Sequence, residues 1–424
     1  MAPLTAPMLT AYVLFDIVLI VALARLLGNL IVRVGQPRVV GEIFAGILLG
    51  PTLLGAEASL RIAPAEVRPI LGAISTVGLI LFMFLAGLEF DRSRVQGRLG
   101  QAGLLSVLSI LLPALLAIPL ASLMHQPEFT GEAGAAFLPF ALFLGAALSV
   151  TAFPVMAHIL MERRELNSPM GSLGVATAGL ISVWMFLFIG FAGQVAAARG
   201  WAELVAKGFL ILLLGAVSWL AVRPWLARVL KPATRPGPIL GNHMALLFGG
   251  MVLFGLIADR IGLHALVGGF AWGLVLPEER AFRQEVASKV RDLALILLLP
   301  IFFAMAGFST DLKLLTPGVL PILALVLLVA VAGKFLAAVP ARAFGRTWAE
   351  VGILGALFNT RGLLVLVAGM IGLQLEIVSV LTFTIIVIVA LVTNLMTLPI
   401  LNWVTQLRAP SGPLPPVAED PARA

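Results

Sequence analysis

The stretch Ala356–Gly372, ALFNTRGLLVLVAGMIG, is apolar enough to lie in a bilayer, yet Asn359, Thr360, Arg361 and Gly362 interrupt it. A charged side chain at membrane depth is costly, and where one occurs it points to function. Arg361 keeps its proton at any accessible pH. It can tie a helix break together through backbone carbonyls, but it cannot cycle a proton. Lys334, in VAGKFLAAV, is a second cation within an apolar segment. An ammonium can load and release a proton, or it can cap the carbonyls of a broken helix. Asn359 and Thr360 offer oxygen ligands for a weakly dehydrated cation, as do Ser149 and Thr151 in GAALSVTAFPVMAHIL and Ser182 in ISVWMF. The same residue types also serve as packing residues in membrane helices. His158 could carry a proton near neutrality. Asp16 is either a relocated proton site or an acid facing a water-filled crevice.

The elements that hold these residues must span a membrane. The 424 residues are 60% hydrophobic, only 12% are charged and the mean hydropathy is +1.08, against about 25% charged in an ordinary soluble domain. A membrane helix needs about 20 apolar residues. On that template thirteen spans are expected, near 10–32, 38–54, 69–90, 99–123, 136–161, 169–197, 203–229, 239–258, 261–277, 290–308, 317–341, 348–373 and 376–406. One set of alternate loops carries nineteen of the 28 Lys and Arg residues and the other set six. Basic loops stay cytoplasmic, which places the N-terminus outside and the C-terminus in the cytoplasm of a plasma (inner) membrane. The N-terminus shows no basic leader and is expected to run straight into the first span. Residues 1–408 read as one transmembrane domain, and the Pro-rich residues 409–424 as a short disordered cytoplasmic tail.

An internal repeat runs through the spans. VGEIFAGILLGP (Val40–Pro51) resembles VGGFAWGLVLP (Val267–Pro277), and FLAGLEFD (Phe84–Asp91) resembles AMAGFSTD (Ala304–Asp311). Corresponding spans lie seven apart, an odd number, so the two copies must have opposite orientation. Repeat one covers about 38–197 and repeat two about 261–406. Inverted repeats place a transporter's substrate site near mid-membrane, at discontinuous helices. The fourth span of each repeat should therefore break, near Phe153–Pro154 and near Asn359–Gly362. Pro154 lacks a backbone donor, and unwound backbone survives at that depth only where it lines a cavity or is buried in protein.

Across nearly the whole chain these motifs, with ALSVTAFPVMAHIL, LLPIFFAMAGFSTDL, the AGK of span eleven and FNTRGL, resemble the monovalent cation:proton antiporter family. The likeness is to its second subfamily, which includes plant cation/proton exchangers and bacterial potassium-efflux systems. The resemblance implies an all-α, sodium/proton antiporter-like fold of about thirteen helices, with inverted five-helix repeats, a panel and a core, and two broken, crossing helices. It also implies a homodimer and elevator-like alternating access. Relatives carry an acidic pair in span six where cation and proton compete. Those positions fall here on Ile181 and Ser182, and no Asp or Glu occurs between Glu165 and Glu203. Lys334 matches the family lysine that pairs with the first of those acids. Glu42 matches the family's VGE pattern, where a helix-terminal role is expected.

The expected function is proton-coupled antiport of sodium or potassium in a lipid bilayer, with a coupling site rewired around Lys334, Thr151, Ser182 and Asn359. One alternative keeps the fold and moves an organic anion. Another is a non-transporting sensor or partner subunit. Enzyme signatures such as HExxH, GxSxG and the P-loop are absent and the four histidines are scattered, so neither catalysis nor a chemical cofactor is expected. No metal is expected beyond the transported cation. Without aromatic-interleaved basic patches, nucleic acid is not an expected partner.

Overall fold

A computed structural model describes residues 5–33, 36, 38–89, 99–131, 134–166, 168–197, 200–231 and 241–406. The expected tail, Asp91 and the His158 side chain lie outside the described residues. In chain order the first helices are α1 (Ala6–Arg33), α2 (Arg38–Leu49), α3 (Pro51–Ile62), α4 (Arg68–Glu89), α5 (Leu99–Met124) and α6 (Pro127–Thr130). Next come α7 (Phe137–Ser149), α8 (Phe153–Glu162), α9 (Pro169–Ala197), α10 (Trp201–Val217), α11 (Arg223–Val229), α12 (Gly241–Arg260) and α13 (Ala265–Val275). The last are α14 (Arg280–Asp292), α15 (Leu299–Phe308), α16 (Leu320–Ala338), α17 (Trp348–Phe358), α18 (Leu363–Gln374) and α19 (Val380–Gln406).

Among the described residues, nine helical segments are long and apolar enough to cross a membrane. Shorter apolar helices, α7, α13, α17 and α18, stand between them. The outward faces are apolar as well. Leu14, Phe15 and Val18 on α1, and Val205, Phe209 and Leu212 on α10, are exposed, as expected of helices solvated by lipid.

The helices gather into two bundles. One packs α1–α4 with α12–α15, through the pairs α4–α13, α1–α2, α12–α13 and α2–α15. The other packs α5, α7–α9 and α16–α19, with α5 at its centre against α7, α9 and α16. Small residues let these backbones approach, the usual device where no hydrophobic effect drives helix association. A Cβ added to Gly307 on α15 would collide with the Gly46 backbone of α2, and one added to Gly87 on α4 with the Phe270 carbonyl of α13.

Proline shapes the bundle helices. Two π-helical turns, Ser218–Val222 and Leu293–Leu298, each lead into a helix whose first turn holds a proline, Pro224 and Pro300. Pro113 lies inside α5 and packs on Gly333 of α16. Since an α-helical N–H bonds the carbonyl four residues back, Pro113 leaves the Ser109 carbonyl without its helical donor. That vacancy is used in the site.

Candidate functional site

Two interrupted helices meet inside the second bundle. The first interruption, Val150–Ala152, separates α7 from α8, and the second, Asn359–Gly362, separates α17 from α18. The first falls just before its expected place at Phe153–Pro154. Pro154 sits in the first turn of α8, where a residue without an N–H is tolerated, so it starts the second half-helix and does not break the first. The interruptions are joined directly. Ala152 N donates to Thr360 O at 2.8 Å and Thr151 Oγ1 to Phe358 O at 2.7 Å.

The last carbonyls of a helix have no intrahelical donor, and its C-terminus carries about half a negative charge. At α7 both needs are met by the two intramembrane cations. Arg361 Nη1 donates to Ala147 O at 3.1 Å and Leu148 O at 2.7 Å, and Nη2 to Ala330 O on α16 at 2.8 Å. Lys334 Nζ donates to Ser149 O at 2.5 Å, Thr151 Oγ1 at 2.8 Å, and Ser109 O and Oγ both at 2.9 Å. Ser109 O is the carbonyl freed by Pro113. Both cations are fully buried, and no described carboxylate touches either. The charged heads that interrupt the apolar spans are thus ligated mainly by backbone carbonyls, those at the end of α7 among them.

Thr151, Ser149, Asn359, Thr360, Lys334 and Arg361 come together at this crossing. Their free capacity differs. Thr151 Oγ1 donates to Phe358 O and accepts from Lys334. Ser149 Oγ has Gly145 O at 2.7 Å and Ile110 O at 2.9 Å as acceptors, and Thr360 Oγ1 donates to Leu357 O at 2.8 Å. The side-chain oxygen and nitrogen of Asn359 are buried with no hydrogen-bond partner among the described residues. An unpaired buried amide is costly, so Asn359 Oδ1 is the acceptor at the crossing most in need of a ligand.

A cavity of about 440 Å³ reaches this region from the end of the molecule that carries Arg38, Arg291 and Asp292. It runs between the two bundles to Ala152 and Phe153 on one side and Ser182 on α9. Ser182 therefore faces the cavity beside the first interruption, with its hydroxyl donating to Ala178 O at 3.0 Å, while Ile181 is buried and Lys334 does not line the cavity. Asp16 is elsewhere, buried on α1 in the first bundle, with neither oxygen hydrogen-bonded among the described residues.

Three buried polar groups of the second bundle were not among the sequence expectations. Ser109 supplies two acceptors to Lys334, and Pro113 inside an apolar span was the available signal. Asn394 Oδ1 accepts from Arg361 N at 3.0 Å, and its signal was an amide midway along the last span. Thr177 on α9 is buried, and its hydroxyl has no hydrogen-bond partner among the described residues. Its sequence carried no signal, because threonine is ordinary in membrane helices.

The chain matches the family model described as "Sodium/hydrogen exchanger, transmembrane" over residues 18–404. It is 37% identical over 404 residues to the Na(+)/H(+) antiporter NhaS4 of Synechocystis sp., covering 92% of this chain and 96% of that protein. It is 33% identical over 402 residues to Cation/H(+) antiporter 20 of Arabidopsis thaliana, covering 90% of this chain but 47% of the plant protein, so it spans about half the length of that relative. Its fold is similar to that of the sodium proton antiporter MjNhaP1 from Methanocaldococcus jannaschii, with a TM-score of 0.69 at 16% identity, covering 94% of this chain and 98% of that one. With that family model matched over nearly its whole length, the chain belongs to the sodium/hydrogen exchanger family.

Proposed function

We propose that the protein is a secondary-active antiporter that exchanges sodium or potassium for protons by alternating access. The observation that carries the reading is the crossing itself. Two helix interruptions are joined by Thr151–Phe358 and Ala152–Thr360 hydrogen bonds, the Asn359 amide has no partner among the described residues, and a cavity reaches the first interruption at Ala152 and Phe153. Unwound backbone with oxygen ligands at mid-membrane is the arrangement that transporters use for cations.

Lys334 is the coupling group in this reading. As an ammonium it has three hydrogens for four acceptors and holds Ser149 O and Thr151 Oγ1. As an amine it has two, which frees at least one oxygen. A cation taken up by the freed oxygens with Asn359 Oδ1, Ser149 and Thr360 repels the ammonium proton, so loading one ion unloads the other. Ser182 serves as a ligand on the approach, and Arg361 stays charged to hold α7 against α16 and α18. His158 and Asp16 are the secondary candidates for the proton.

The organic-anion alternative is less well supported, because both intramembrane cations are engaged with carbonyls and neither lines the cavity. Several finer features belong to the same proposal. The chain crosses the membrane thirteen times, with the N-terminus outside and the C-terminus cytoplasmic in the plasma membrane, as a homodimer of single-domain subunits. Its repeats are inverted. Gly41 of α2 packs on Leu27 and Gly28 of α1, and Gly268 of α13 packs on Phe254 and Gly255 of α12. Each residue of the second set lies 227 positions after its counterpart, which extends the repeat to α1 and α12.

The test is reconstitution into proteoliposomes with an internal pH dye. Adding NaCl or KCl against an outward proton gradient should alkalinise the lumen, whereas choline chloride should not. Proton movement driven by organic anions and not by either cation would replace this reading with the anion alternative. No coupled flux with any of them would leave the non-transporting one.

A further inference from the structure

We propose that Glu42 forms a vestibule site for the hydrated monovalent cation in the cavity between the two bundles, upstream of the crossing. The proposal rests on the antiport reading for its substrate class.

Glu42 stands in α2, in the first bundle, yet it lines the same cavity as Ala152, Phe153 and Ser182 of the second. Its side chain is only 5% exposed, whereas Asp292, the other acid lining the cavity, is exposed at the mouth. A helix-terminal role would give the carboxylate a backbone donor, and among the described residues no hydrogen bond or ion pair engages it. Its charged neighbours are Arg25 on α1 and Arg38 on its own helix. Both guanidiniums have other acceptors. Arg38 Nη2 donates to Asn29 Oδ1 at 3.1 Å, and Arg25 Nη2 is 3.5 Å from Leu295 O. That carbonyl lies in the π-helical turn five residues before Pro300, which has no N–H to give it.

The charge balance of the cavity then turns on Glu42. From α14 come Arg291 and Asp292, and Arg291 is paired with Glu89 at the end of α4 at 2.5 Å. The lining residues of α8, α9, α13, α15 and α18 carry no titratable side chain. With Arg291 neutralised, Arg25 and Arg38 face Glu42 and Asp292, two against two. Remove the Glu42 charge and the cavity becomes positive, which opposes any cation on its way to Asn359. A buried carboxylate without a pair, opposite a route lined mostly by apolar side chains, is both the counter-charge and an available ligand.

The test combines binding with sided transport on the full-length protein. Thermal stabilisation by NaCl and KCl, against choline chloride, reads cation binding in detergent. Transport is read as the cation KM from each membrane face in proteoliposomes of defined orientation. Glu42→Gln should raise the half-saturating salt concentration and the KM from the cavity's face about tenfold, with kcat within about twofold and the KM from the other face unchanged. Glu42→Asp should stay close to wild type, which also shows that the position tolerates change. If Glu42→Gln keeps the wild-type KM and salt response, the inference is overturned. It is equally overturned if both variants lose kcat at constant KM, since that marks a packing role, or if neither salt stabilises the wild type. Should the wild type move no protons with either cation, yet lose salt stabilisation on Glu42→Gln, the antiport reading fails while the vestibule site stands.

Discussion

At the scale of single residues, two cations share one helix end but differ in what they can do. Arg361 reaches Ala147, Leu148 and Ala330 carbonyls through a planar fork that stays charged. Lys334 gathers four oxygens with an ammonium that can let a proton go. The sequence made both conspicuous because each interrupts an apolar run. Their acceptors were not legible in it, since backbone carbonyls have no letter. Only Pro113, which strips Ser109 O of its helical donor, left a trace. As a proton carrier Lys334 must lose its charge in the cycle, so Lys334→Arg should reduce coupled proton flux about a hundredfold, near the lower end of what a positioned proton-transfer group contributes. Lys334→Gln should do the same. Substrate-driven pH changes in proteoliposomes check this. If Arg preserves coupling, fixed charge suffices, and the proton role moves to Asp16 or His158. If all three behave alike, Lys334 is a structural cap.

At the scale of elements, interruption and close approach do different work. The interruption at Asn359–Gly362 was readable because polar residues and glycine stand together. The one at Val150–Ala152 was displaced in the reading because Pro154 drew attention to itself, although proline in a first helical turn initiates. Thr347 and Glu350 begin α17 with a reciprocal cap, Thr347 N donating to Glu350 Oε2 at 2.9 Å and Glu350 N to Thr347 Oγ1 at 3.2 Å. α7 has no comparable cap and relies on Lys334 and Arg361 at its other end. Between bundle helices, contact depends on missing side chains. A methyl at Gly307 would strike the Gly46 backbone, whereas one at Gly215 on α10 meets nothing within 4 Å. Gly307→Ala should therefore destabilise by about 1–3 kcal/mol as an overpacked contact. Gly215→Ala should be neutral or stabilising by about 0.5–1 kcal/mol, the ordinary helical gain over glycine. Thermal unfolding in detergent checks the pair, and equal shifts would mean that α2 and α15 do not meet at these glycines.

At the scale of the whole molecule, the architecture and the missing acid pull on each other. The proposed inverted repeat predicts two half-helices from each copy meeting at mid-membrane, and α7–α8 and α17–α18 are joined by hydrogen bonds at their interruptions. The repeat was visible in sequence because small residues recur in the same order in VGE/VGG and AGLEFD/AGFSTD. The bundle partners were not, since α4 pairs with α13 and α15 with α2 across copies. The proposed opposite orientation of the copies has a direct consequence for labelling. Segments that follow the first span of each repeat are equivalent in order, and in an inverted repeat they face opposite sides of the membrane. Glu57, on α3, and Ser288, on α14, occupy such segments and both are exposed. The chain contains no cysteine, so a single introduced thiol can be labelled without background. Glu57→Cys should react with a membrane-impermeant maleimide added to intact cells, and so should Lys313→Cys, on the short turn after α15. Ser288→Cys should react only after permeabilisation, because it lies among the basic residues that stay cytoplasmic. If Glu57→Cys and Ser288→Cys label from the same face, the copies are parallel and the inverted-repeat reading falls. If they label from opposite faces with Ser288 outside, the repeat stands and the assigned orientation reverses, which would turn the cavity beside Glu42 toward the exterior.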